Sequence, residues 1–206
     1  MRAMKRLLAL APVLLAAALA QSPKAATFDP LFWAKAKPGE VRAYFEDLAE
    51  KEGRPKAPAE ARRRVLALLV NRTDRFGRTP LHYAAALNPD PQVVAVLIEM
   101  GAEVNARDLL KFIPLHYAAA FNENPAVSEL LIEKGAEIEA TDLEGKTPLH
   151  VAALNQKNPE VIAVLLKAGA DAKKKDIFGK TPLDYALENE HLRNGPAIAL
   201  LKAAMR

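Results

Sequence analysis

The 206-residue chain predicts an all-helical stack of repeated units, and three regularities predict it. The first is a motif, Thr147-Pro148-Leu149-His150-Val151-Ala152-Ala153, with counterparts that begin at Thr79, Ile113 and Thr181. Their prolines stand at 80, 114, 148 and 182, a constant step of 34 residues. A fixed period in this range means supersecondary units that bury their apolar faces on one another. The second is an apolar run closing on Gly-Ala behind the first three motifs: Val93 to Ile98 with Gly101-Ala102, Val127 to Ile132 with Gly135-Ala136, and Val161 to Leu166 with Gly169-Ala170. The third is a cap-and-proline pair between them, at Asp90-Pro91, Asn124-Pro125 and Asn158-Pro159. Aspartate or asparagine caps a helix, and proline at its first position forfeits no hydrogen bond.

Taken in order, residues 1–20 read as a cleaved secretory signal. Arg2, Lys5 and Arg6 form a charged start, Leu7 to Ala17 an apolar centre, and Ala18-Leu19-Ala20 a small-residue cleavage site. The apolar run is shorter than the ~20 residues a membrane-spanning helix needs. Residues 21–73 read as a polar leader and a helical N-terminal cap. In it Val41, Tyr44, Phe45 and Leu48 share one helix face, and Gly53, Pro55 and Pro58 break the chain. A second helix, Ala59 to Val70, is expected to turn Val65, Leu66, Leu68 and Leu69 inward. Phe32-Trp33 followed by Pro38-Gly39-Glu40-Val41 reads as a degenerate first repeat, its turn replaced by the insertion around residues 47–58. Full units follow at 74–107, 108–141 and 142–175, and a closing unit at 176–206. In each, Thr79 or its counterpart is expected to cap the first helix, and Gly101, Gly135 and Gly169 to end the second in the left-handed conformation. In the last unit Asp184 replaces the motif histidine, and Gly195-Pro196 delays the final helix.

The four in-register copies of Thr/Ile-Pro-Leu-His/Asp-x-Ala resemble the ankyrin repeat over residues 74 to 206. The resemblance implies an all-α ankyrin-repeat solenoid of helix-turn-helix units, with protruding hairpin-like fingers and helical caps at both ends. It also implies that partners bind at the finger tips and on the exposed side of the first helices. The tips are then Arg75, Phe76 and Arg78; Leu109, Leu110 and Phe112; Leu143, Glu144 and Lys146; and Ile177, Phe178 and Lys180. Leu87 and Phe121 are the helix positions beneath. The second finger departs from the pattern, with Lys111 where the others carry Gly77, Gly145 and Gly179, and Ile113 in place of threonine. Lys111 is expected to keep the left-handed backbone at a cost of ~1–2 kcal/mol. Leu110 and Phe112, with Phe121 below, are expected to centre the partner site.

Composition narrows the function further. The chain has no cysteine, which excludes disulfides, thiolate metal sites and a cysteine nucleophile. Its net charge of +4 comes largely from the first twenty residues; without them 26 basic groups face 25 acidic ones. No global attraction to nucleic acid or membrane follows. Residues 51 to 78 are locally basic, with nine cations against three acids, but lack aromatic platforms for bases. His82, His116 and His150 recur at equivalent positions. Stacked helices lie ~8–10 Å apart, too far for neighbouring imidazoles to share one zinc with ~2 Å bonds. They read as structural histidines bonded to backbone. Ser22 and Ser128 are the only serines, and neither sits in a nucleophile elbow. No catalytic residue, metal or cofactor is expected. The sequence therefore reads as an exported, periplasmic or secreted monomer that binds a protein. The alternative is an envelope accessory or chaperone-like protein that supports or protects an envelope enzyme.

Overall fold

A computed structural model describes residues 29–51 and 59–206. The expected signal at 1–20, the rest of the leader and the break at 53–58 lie outside the described residues. Among these, eleven helices and no strand are found. They are α1 (Pro30–Lys35), α2 (Pro38–Lys51), α3 (Ala59–Val70), α4 (Pro80–Leu87), α5 (Pro91–Glu99), α6 (Pro114–Phe121), α7 (Pro125–Glu133), α8 (Pro148–Asn155), α9 (Pro159–Lys167), α10 (Pro182–Glu188) and α11 (Pro196–Ala204). The fold is the all-α solenoid that the period predicts, and the fingers are turns that carry no ladder.

Two parallel stacks make up the core. Helices α1, α4, α6, α8 and α10 pack in sequence as an inner row, and α2, α5, α7, α9 and α11 as an outer row. Every helix from α4 onward begins on a proline, whose missing N–H falls where no partner exists. Before α5, α7 and α9 the caps form as expected: Asp90 accepts from Gln92 N–H at 2.9 Å, Asn124 from Ala126 at 3.1 Å and Asn158 from Glu160 at 3.0 Å. The inner helices meet through alanines that are almost wholly buried, Ala84-Ala85-Ala86, Ala118-Ala119-Ala120 and Ala152-Ala153. Small side chains let these backbones approach closely. The outer helices end on Gly101, Gly135 and Gly169, with φ of 99°, 89° and 97°. Gly101 is doubly required, because a Cβ there would stand 2.8 Å from that of Ala67 on α3.

Two sets of side chains stitch one unit to the next. One is a buried amide ladder at the ends of the inner helices. Asn88 donates to the carbonyls of Trp33 and Ala36, both at 2.8 Å. Asn122 donates to Ala85 and Asn88, Gln156 to Ala119 and Asn122, and Asn189 to Ala153 and Gln156. Each rung ties the carbonyls that the preceding helix leaves unpaired, which is where a buried helix end must find donors. The other set is the histidines. His82 Nδ1 accepts the Thr79 N–H at 3.0 Å, which places its proton on Nε2, and Nε2 donates to the Phe112 carbonyl at 3.1 Å. His116 and His150 repeat this towards Lys146 and Lys180. Burial holds the His82 and His116 pKa values at about 4, so both imidazoles stay neutral. The threonine expected to cap α4 works through this ring, its hydroxyl 2.9 Å from His82 Nδ1.

The N-terminal helices correct one expectation. Val41 and Phe45 of α2 are fully buried with Trp33 of α1, and Phe32 and Tyr44 pack at their edge. On α3, however, Leu68 faces solvent at 73% exposure. At about 100° per residue, the inward stripe of Val65, Leu66, Leu69 and Val70 puts Leu68 on the far side. Asn71, the acceptor of a glycosylation sequon, spends its amide on Ala67 O, Gly101 O and Glu103 N–H.

Candidate functional site

The four fingers share one frame, built on an aspartate. Asp74 takes the N–H groups of Phe76 and Arg78 on one carboxylate oxygen, at 2.8 and 2.9 Å. Its other oxygen accepts the Tyr83 hydroxyl at 2.8 Å. Asp108 repeats this with Leu110, Phe112 and Tyr117, and Asp176 with Phe178, Lys180 and Tyr185. Asp142 takes the N–H groups of Glu144 and Lys146, but Val151 stands where the tyrosine would be. The third residue after each aspartate turns left-handed: Gly77, Lys111, Gly145 and Gly179, with φ of 78°, 64°, 76° and 71°. Lys111 is the one non-glycine residue with positive φ among the described residues, as its place in the motif predicts.

Adjacent fingers are joined by one backbone hydrogen bond each. Leu109 N–H meets Phe76 O at 2.9 Å, Leu143 meets Leu110 O at 3.1 Å, and Ile177 meets Glu144 O at 3.0 Å. These bonds fix the residue after each aspartate in register with its neighbours. Leu109, Leu143 and Ile177 thus form a row, and they are 68%, 53% and 67% exposed. Leu110 and Phe178, one position on, are exposed as well, with the carboxylate of Glu144 between them in the sequence of fingers. Arg75 begins the row, its guanidinium over the Phe76 ring at 4.7 Å from the centroid.

Several expected contact residues lie elsewhere. Arg78 is buried at 1% exposure, paired with Asp74 at 2.7 Å and stacked over Phe76 and Tyr83. It is a strut of the finger and offers a partner nothing. Phe112, expected to centre the site, is half-buried, edge-on to His116 and Tyr117 at 5.2 and 5.9 Å between centroids. Phe76 is likewise half-buried, covered by its own arginines. Lys146 reaches Glu144 and lies above Phe178 and Tyr185, leaving its side chain 13% exposed. Lys180 pairs with Glu188 at 2.6 Å. Leu87 and Phe121 are half-buried on the inner helices, Phe121 beside the Tyr117 ring at 6.2 Å.

Burial and pairing set the aspartates apart. Burial pushes Asp108 and Asp142 above the usual carboxylate range against their hydrogen bonds. Asp74 is half-buried, and the Arg78 guanidinium pulls it below that range against the cost of burial. Both nitrogens of His82, His116 and His150 are engaged, and no cluster of three metal-ligating side chains occurs among the described residues. Sequence reasoning passed over the amide ladder, although asparagine or glutamine recurs at 88, 122, 156 and 189.

Comparisons with known proteins agree with this geometry. Residues 115–202 match a family described as ankyrin repeats (3 copies), and residues 76–109 match the single ankyrin repeat. A fowlpox virus (strain NVSL) protein named for its ankyrin repeats is 40% identical over 42 residues. That match spans 20% of this chain and 8% of the viral protein.

Proposed function

This chain is an ankyrin-repeat protein, and from that premise we propose that it is an exported binding module whose finger tips dock a protein partner. Ankyrin repeats are a protein–protein interaction module, and the described residues contain no helix long and apolar enough to cross a membrane. The observation that carries the choice of face is the tip row of Leu109, Leu143 and Ile177, each more than half exposed. Elsewhere the described chain keeps large apolar side chains inward apart from isolated exceptions such as Leu31 and Leu68. A contiguous exposed apolar patch marks an interaction site, whereas scattered residues do not. The charged start and small-residue site of residues 1–20 support export.

The test is photocrosslinking in the native compartment from single positions. Crosslinks to one polypeptide from positions 143 and 177, and none from Glu160 on the outer helix α9, are expected. Crosslinks confined to Glu160 overturn the choice of face. Intact mass of native material, expected to lack Met1 to Ala20, checks export.

A further inference from the structure

We propose that the partner presents an acidic amphipathic α-helix whose apolar residues repeat every seven positions, laid along the row of tips. This rests on the binding face argued above and specifies what that face takes.

The first argument is spacing. The inner helices pack one on the next, and packed helices stand ~8–10 Å apart. Each finger is fixed to its own helix and bonded to its neighbour once, so the tips advance by about the same step. Leu109, Leu143 and Ile177 therefore offer apolar side chains at intervals close to the ~10.5 Å that seven residues of α-helix cover. Residues i, i+7 and i+14 of such a helix stay on one face. A β-strand at the same reach, three residues, turns alternate side chains away.

The second argument is charge. In the tips the aspartates are turned inward to bind their own turn amides, so their charge is spent within the finger. The acid that reaches the surface is Glu144, and Lys146 pairs with it. The cations flanking the apolar row are Arg75, Lys111 and Lys175, all exposed and without an ion pair among the described residues' salt bridges. Arg75 holds the row's first position, Lys111 stands two residues after Leu109, and Lys175 two residues before Ile177. A helix with carboxylates beside its apolar stripe meets them, and one with lysines there is repelled. Lys111 gains a second reason to stand where glycine is easier: its charge sits beside Leu110.

The experiment is peptide display against the protein, using a library of 21-residue segments with randomised positions and a proline-rich library in parallel. The selected sequences are expected to carry Leu, Ile, Val or Phe at seven-residue spacing with Glu or Asp beside them. A labelled selected peptide should gain helical circular dichroism on binding. Leu143→Ser and Ile177→Ser should each weaken it about tenfold, and Lys111→Glu several-fold, with unchanged thermal unfolding because these side chains are exposed. Enrichment of proline-rich segments, sequences without the seven-residue period, or equal binding to the serine variants overturns the proposal. If native crosslinks still map to positions 143 and 177 in that case, the docking face stands and only the helical partner falls.

Discussion

The first and second full repeats share a frame and fill it by different chemistry. In both fingers an aspartate takes two turn amides and a tyrosine hydroxyl, and a histidine reaches the next finger. Four residues after the aspartate, the first repeat places Arg78 and the second Phe112. Arg78 donates twice to Asp74, at 2.9 and 2.7 Å, between the rings of Phe76 and Tyr83. Phe112 instead packs edge-on against His116 and Tyr117. One finger is closed by a buried ion pair and the other by aromatic contact. The frame is thus set by backbone donors and one carboxylate, and the filling residue is free to change.

The largest expected effect separates these two solutions. Asp74→Ala removes the turn acceptor and also strands the buried Arg78 charge, so it should cost about 3–5 kcal/mol. Asp108→Ala strands only two amides and a hydroxyl and should cost about 2–3 kcal/mol. Denaturant unfolding of the two variants measures the difference. Equal losses would mean that Arg78 finds water when its partner goes, and the contrast between the fingers would disappear.

The histidines are common to both repeats and should respond alike. Each has a folded pKa of about 4 against an ordinary 6.5, because burial disfavours the imidazolium. A histidine held neutral contributes stability that is complete above pH 6.5 and is lost as pH falls towards 4. For His82 and His116 the loss should be about 3 kcal/mol each over that window. Asp108 and Asp142, which burial pushes up, act in the opposite direction and gain stability as pH falls, so a net loss towards pH 5 belongs to the imidazoles. Unfolding curves at pH 7 and pH 5, with nitrogen NMR expected to show the proton on Nε2, check this. A flat profile would mean that the rings reach solvent.

The turn residues sharpen the comparison at smaller scale. A Cβ on Gly77 would stand 3.1 Å from the Leu109 nitrogen and 3.2 Å from the Asp108 Cα, in addition to its left-handed φ of 78°. Gly77→Lys should therefore cost about 2 kcal/mol or more. Gly179, with nothing within 4 Å of such a Cβ, should lose only the backbone term of about 1–2 kcal/mol. In the other direction Lys111→Gly should gain about 1 kcal/mol by relieving strain. Thermal unfolding of the three variants ranks them.

Much of this was legible because the controlling residues have one physical use. Proline at a fixed step marks helix starts, glycine marks left-handed ends, and Lys111 in a glycine slot predicts its own backbone angle. Side-chain direction was less legible. Arginine at a tip position suggests contact, but Asp74 four residues earlier draws Arg78 inside. Phe112 sits at a tip position that implies exposure, yet its ring completes the cluster with His116 and Tyr117. The recurring amides at 88, 122, 156 and 189 carry no local signal of their role. Their bonds cross from one unit to the next, which local sequence does not display. Of the tip residues, the row formed by Leu109, Leu143 and Ile177 is what the structure brings together.

The smallest effect concerns a core position. Val94 in the first repeat and Ile162 in the third correspond to Ser128 in the second. Ser128 is fully buried on α7, and its hydroxyl is without a hydrogen-bond partner. Its apolar counterparts show what the site accommodates. Ser128→Val removes an unsatisfied polar atom and adds apolar burial, at about 0.8 kcal/mol per buried carbon. The expected gain is about 1 kcal/mol, or about 2–4 °C in Tm for a chain of this size. Val94→Ser, the exchange in reverse, should lose a similar amount or more. If Ser128→Val instead lowers Tm while Val94→Ser behaves as expected, the second repeat has closed tightly around its serine. The two repeats would then differ in core packing as well as in their fingers.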